Sequence, residues 1–62
     1  MVIIPKLSKQ AKTLMDAANA LDDAVGQKYS SGSNVSLYAA QSAIYLWVLL
    51  CELERVESEE NT

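Results

Sequence analysis

Residues 37–56 read LYAAQSAIYLWVLLCELERV, with nine consecutive apolar residues from Ala43 to Cys51. A helix that is apolar nearly all round has to be buried on more than one side, either among other helices or in lipid. This stretch therefore sets the class of the protein before any other residue is considered: all-α, and assembled from more than one pair of packed surfaces.

The rest of the chain has to supply those surfaces, and it is short. Sixty-two residues make one domain near the size at which a chain stops burying enough apolar area to offset its conformational entropy. Cys51 is the only cysteine and there is no histidine, so neither a disulfide nor a structural metal is available as extra support. No cofactor is expected. Oligomerisation is the remaining common route to stability.

A second helix is written upstream. Leu7, Ala11, Leu14, Ala18, Leu21 and Val25 recur at alternating steps of four and three, the seam of a helix lying against another helix. Pro5 suits a first helical turn, where its missing N–H would be unpaired anyway. The spacing predicts helix 1 over about 5–30, with Gly26 as an alternative cap and the breaker cluster Ser30-Ser31-Gly32-Ser33-Asn34 as the turn, about 31–34. Helix 2 is expected over about 35–57, capped by Asn34 or Ser36, followed by a frayed acidic tail at 58–62. Its own seam is Ala39, Ala43, Leu46, Leu50 and Leu53.

Folding the chain about Gly32 brings the seams together as an antiparallel hairpin. That register sets Ala11 against Leu53, Ala18 against Leu46, Leu21 against Ala43 and Val25 against Ala39, with Leu14 and Leu50 as one large pair. Small opposite large fills space at native density. Charges fit the same orientation: Lys6, Lys9 and Lys12 lie at the start of helix 1 and Glu52, Glu54 and Glu57 near the end of helix 2. Each group opposes its own helix dipole, so bringing them side by side relieves both, although exposed pairs are worth only ~0 to 1 kcal/mol.

The seam of helix 2 leaves a second side uncovered. Leu37, Ala40, Ile44, Trp47, Val48 and Cys51 fall there at 100° per residue, and only a strip around Gln41, Tyr45 and Glu52 stays polar. Burying ~500 Å² of that patch at ~25 cal/mol per Å² contributes on the order of 12 kcal/mol before association costs. The simplest closed solution is a twofold homodimer in which two hairpins form a four-helix bundle, with a tetramer as the larger alternative. Helix 1 also carries a small-residue row, Thr13, Ala17, Ala20 and Ala24. Alanine as a good helix former on a half-exposed face is the ordinary explanation of it. Val2-Ile3-Ile4 are expected to pack over the open end of the bundle.

Reactive chemistry is not legible. There is no histidine base, no glycine-rich phosphate loop and no nucleophile with a partner at readable spacing, so the chain is read as not an enzyme. Cys51 on an apolar face is ordinarily a small hydrophobe, and Trp47 is either a binding hot spot or dimer core. A net charge of −3 opposes general binding to nucleic acid, despite Lys6, Lys9, Lys12 and Lys28. The start of the chain lacks a secretory leader pattern, so a cytoplasmic location is expected, and the sequon Asn34-Val35-Ser36 is then a chance match.

What remains is a small interaction protein: a helical oligomer that binds and modulates another, unidentified protein. Its candidate partner surface is the acidic face of helix 1, Asp16, Asn19, Asp22 and Asp23. Compact acidic chains of this kind are common among accessory regulators of mobile elements. The alternatives are a subunit of a larger hetero-oligomer and a single-span membrane protein. Val35 to Leu53 is barely long enough to cross a bilayer, and Tyr45 and Trp47 would sit at mid-membrane.

Overall fold

The structure is a computed structural model that describes residues 6–60. Two helices, α1 (Leu7–Lys28) and α2 (Asn34–Glu60), pack against each other as a hairpin. Val2, Ile3, Ile4 and Pro5, for which packing and a helix start were expected, lie outside the described residues, as do Asn61 and Thr62 of the tail.

Each helix end has a local cause. Lys6 precedes α1 in extended backbone and gives it no side-chain cap. At the other end the Tyr29 N–H donates to the Val25 carbonyl at 2.8 Å, and Lys28 places a cation where the dipole favours one. Gly26 continues the helix rather than capping it. In the turn, the Ser33 N–H donates to the Ser30 carbonyl at 3.0 Å. Ser33, not Asn34 or Ser36, is the cap of α2: its Oγ accepts from the Ser36 N–H at 3.2 Å, and its carbonyl accepts from the Leu37 N–H at 3.0 Å. A hydroxyl one residue ahead of the helix reaches the third N–H of the first turn, whereas Asn34 already has helical backbone. At its far end α2 runs through Glu60 instead of fraying after 57. Arg55 supports that last stretch, bonding Glu52 one turn back and Glu59 one turn ahead at 2.8 Å.

The seam of α2 is the expected one, with Ala43 and Leu50 buried and Ala39, Leu46 and Leu53 half-buried. That of α1 is not. Ala11 is buried and Ala18 and Val25 half-buried, but their neighbours in the seam are Met15 and Asp22. Leu7, Leu14 and Leu21, expected in the hairpin core, stand 59%, 58% and 62% exposed. The cause is the alanines. Ala11 and Ala18 on α1 and Ala39 and Ala43 on α2 let the backbones approach closely, and the line of contact settles on the alanine row. At 100° per residue the leucine row lies well to one side of it, so the leucines flank the contact instead of filling it. The Leu14–Leu50 pair is thereby split, with Leu50 enclosed and Leu14 outside.

Level by level the helices still align as a turn at Gly32 implies. Ala11 and Leu53 line one groove, Val25 and Ala39 another, and Ser8 bonds Glu57 at the open end. The result is a single layer of two helices with extents of 47 × 21 × 11 Å.

Candidate interaction site

A layer one helix thick has two broad faces, and neither is covered. Among the described residues only Ala11, Ala43 and Leu50 are buried.

On one face lie Leu37, Ala40, Ile44, Trp47, Val48 and Cys51, the row expected to join two hairpins. Ala40 is half-buried against α1 and the rest are exposed, Trp47 at 60%. Ala40, Ala43, Ile44 and Trp47 form one wall of an open groove of about 380 Å³, and Met15, Asn19 and Asp22 of α1 form the other. Beyond Trp47 a second hollow continues along Val48, Cys51, Glu52 and Arg55. Two residue sets that the sequence suggested as separate surfaces thus meet here. Asn19 and Asp22 of the acidic set share a groove with Trp47, while Asp16 and Asp23 stand exposed on α1 and do not line it. The Trp47 face is therefore mixed, with an indole and aliphatic floor beside a carboxylate wall.

The opposite face was not anticipated. Leu7, Gln10, Ala11 and Leu14 line a groove with Leu49 and Leu53, and Leu21 and Val25 line another, of about 450 Å³, with Val35, Tyr38, Ala39 and Ser42. This leucine face is apolar on both helices. The signal for it was present: Leu7, Leu14 and Leu21 recur every seven residues, as do Val35, Ser42, Leu49 and Val56. On α1 that row was absorbed into the hairpin seam. The Ser42 hydroxyl donates to the Tyr38 carbonyl at 3.0 Å, so it is already satisfied within its own helix.

The polar chemistry sits at the ends. At the open end the Glu57 carboxylate accepts from the Ser8 N–H at 3.0 Å and from the Ser8 hydroxyl at 2.5 Å. The Ser8 hydroxyl holds the Glu57 carboxyl below the usual carboxylate range, helped by the Ser8 and Leu7 N–H groups and the charge of Lys6. Of the expected meeting of lysines with glutamates, Lys6 and Glu57 come within electrostatic reach, and the Glu57 carboxylate is seated on the start of α1. Further along α2, hydrogen bonding from Arg55 and its charge lower the Glu52 carboxyl. At the turn the Lys28 ammonium lies over the Tyr29 ring, 5.7 Å from its centre. No cluster of three or more metal-ligating side chains occurs among the described residues. The arrangement offers surfaces for contact. Set against protein-family models, curated proteins and solved structures, the chain matches none of them.

Proposed function

We propose that the protein is a small, non-enzymatic interaction module: a cytoplasmic helical oligomer, two hairpins closing a four-helix bundle, that binds and modulates another protein. The observation that carries this reading is that among the described residues only three small-to-medium side chains are buried, while Leu14, Trp47 and Tyr45 are 58%, 60% and 70% exposed. Apolar surface of that extent marks an interaction site. The groove beside Trp47 supplies the partner surface. Its floor suits an apolar side chain, and Asp22 on its wall favours a lysine or arginine flanking that side chain.

The test is the mass of the detergent-free protein by light scattering across a dilution series. A stable mass of at least twice the chain supports the reading, and a soluble monomer at all concentrations refutes it.

A second reading has one observation in its favour. α2 contains an 18-residue window with a mean hydropathy of 1.3 and only 11% of it buried, enough in length and composition to cross a bilayer. Against it stand the alanine-lined contact with α1 and the Ser8–Glu57 bonds at the open end, which lipid would not require. Insolubility without detergent would favour this reading.

A further inference from the structure

We infer that the Trp47 groove takes a helix of another protein, amphipathic and basic along one flank, laid lengthwise between α1 and α2. The inference rests on the reading that this groove is the partner surface, and names the shape and charge of what it holds.

The walls set the shape of the occupant. Met15, Asn19 and Asp22 follow one another by four and three residues along α1, and Ala40, Ile44 and Trp47 likewise along α2, so each wall is one stripe running with its helix axis. The hollow along Val48, Cys51 and Arg55, of about 330 Å³, carries the track on beyond the indole. From Ala40 to Arg55 the track is ~22 Å long at 1.5 Å per residue, or about four turns of a docked helix. An extended segment would find no backbone partners there, because both walls are helices with their own N–H and C=O groups paired, whereas a helix brings its groups already satisfied. Ala40 and Ala43 are small and let that helix come close. Trp47 borders both hollows, and the α2 residues of the two are centred about seven positions, ~10 Å, apart along the axis. Apolar side chains of the occupant at i and i+7 therefore fall one on each side of the indole.

The charge of the occupant is set by one wall. From Asn34 to Cys51 α2 carries no charged residue, and from Met15 to Gly26 α1 carries Asp16, Asp22 and Asp23 and no cation. Asp22 lies on the wall itself, and Asp16 and Asp23 follow on the same side, ~40–60° further round α1 than Asn19. Elsewhere the charges nearly cancel. The open end mixes Lys6, Lys9, Lys12 and Arg55 with Glu52, Glu54, Glu57, Glu59 and Glu60, and Lys28 lies over the Tyr29 ring at the turn. Negative potential is thus concentrated along the α1 wall. A row of lysine or arginine on the flank of the occupant that lies over α1 meets it, while the flank over α2 meets Gln41 and Tyr45 and needs no charge. The helices of the chain itself bring no such flank. Arg55 is the only cation of α2 and is bonded to Glu52 and Glu59, Lys9 and Lys12 of α1 share their side with Asp16, and the leucine side of α1 has no cation between Lys6 and Lys28. The occupant is accordingly a different protein.

Trp47 is the single tryptophan and is 60% exposed, so its fluorescence reads occupancy of the groove on the intact protein. The probes are synthetic helical peptides with leucine at every third and fourth position: one with lysine along one flank, a twin with glutamate in place of lysine, and a lysine peptide broken by a central proline. Phosphatidylcholine vesicles are titrated in parallel. The expected result is a saturating blue shift with the lysine peptide, binding of the glutamate twin weaker by about tenfold at low salt, a ratio that closes as salt rises, and no shift with the proline peptide. The triple variant Asp16→Asn, Asp22→Asn, Asp23→Asn, matched to the wild type in helicity, is expected to bind the lysine and glutamate peptides equally. Equal affinity in the wild type, or a preference that survives the triple substitution, overturns the basic flank while leaving the groove a partner surface. A shift with the proline peptide overturns the helical shape. No shift with any peptide overturns the groove as a partner surface altogether. A shift on concentrating the protein alone gives the groove to a second copy, a shift with vesicles alone gives it to lipid, and either overturns the inference.

Discussion

The Glu57 carboxylate, 49 residues along the chain from Ser8, receives both the Ser8 N–H and the Ser8 hydroxyl, and so supplies the side-chain cap that Lys6 does not. The first N–H groups of a helix need acceptors and favour an anion. Lys6 accepts only through its backbone carbonyl, from the Lys9 N–H at 3.1 Å, and brings a cation, so the side-chain cap is delivered from the last turns of the other helix. Secondary structure at one end of the hairpin is thereby conditional on tertiary contact.

That contact makes stability depend on acid. The Glu57 carboxyl is lowered in the folded protein, so its contribution is complete above the ordinary carboxylate value and is lost as pH falls through the lowered folded value. Thermal melts between pH 6 and pH 2, values spanning the carboxylate range, are expected to show a falling midpoint for the wild type. Glu57→Gln flattens that fall and has the lower midpoint at pH 6. An unchanged acid profile in Glu57→Gln removes the carboxylate cap from the account.

The alanine row sets the distance between the helices, so enlarging it has a cost. Ala18→Leu at a half-buried position is expected to destabilise by ~1–3 kcal/mol through overpacking, and Leu50→Ala by ~2–5 kcal/mol through the cavity it leaves. Urea denaturation reads both. A neutral Ala18→Leu would mean that the contact line does not run along the alanines.

The start of α2 offers a contrast between adjacent side chains. Ser33→Ala removes the hydroxyl that accepts from Ser36 and is expected to cost ~0.5–2 kcal/mol. Asn34→Ala, one residue later and inside the helix, is expected to change stability by less than ~0.5 kcal/mol. Equal costs would place the cap elsewhere.

For the groove beside Trp47, a partner captured by immobilised wild-type protein is expected to be lost with Trp47→Ala, at ~2 kcal/mol or more if the indole is a hot spot. Asp22→Asn weakens capture and reduces its salt dependence, because the carboxylate steers a cationic group. Capture unaffected by both substitutions moves the partner surface away from this groove.

Much of the hairpin was legible in the sequence because its signals are local. A breaker cluster at Ser30–Asn34 divides two runs of apolar spacing, and the level matching of Ala11 with Leu53 follows from the turn position alone. The seam of α1 is ambiguous in the sequence because two rows, Leu7-Leu14-Leu21 and Ala11-Ala18-Val25, satisfy one periodic pattern. Which row faces the partner helix depends on how closely the backbones approach, a property of both helices together. The cap was ambiguous for a related reason: Ser33, Asn34 and Ser36 all have a suitable side chain, and the choice is made where helical backbone begins. The meeting of Asp22 with Trp47 required knowing the rotation of α1, so the partner groove could not be assembled from either helix alone.

Gly26 and Gly32 have open space where a Cβ would stand, and neither has a positive φ. Neither is demanded by the turn, yet Gly26 lies within the last turns of α1, where glycine costs ~0.5–1 kcal/mol relative to alanine. The hairpin is accordingly riveted at its open end and slack at its hinge. Under load or heat it should unzip from the turn, peeling the end of α1 away while Ser8 and Glu57 still hold.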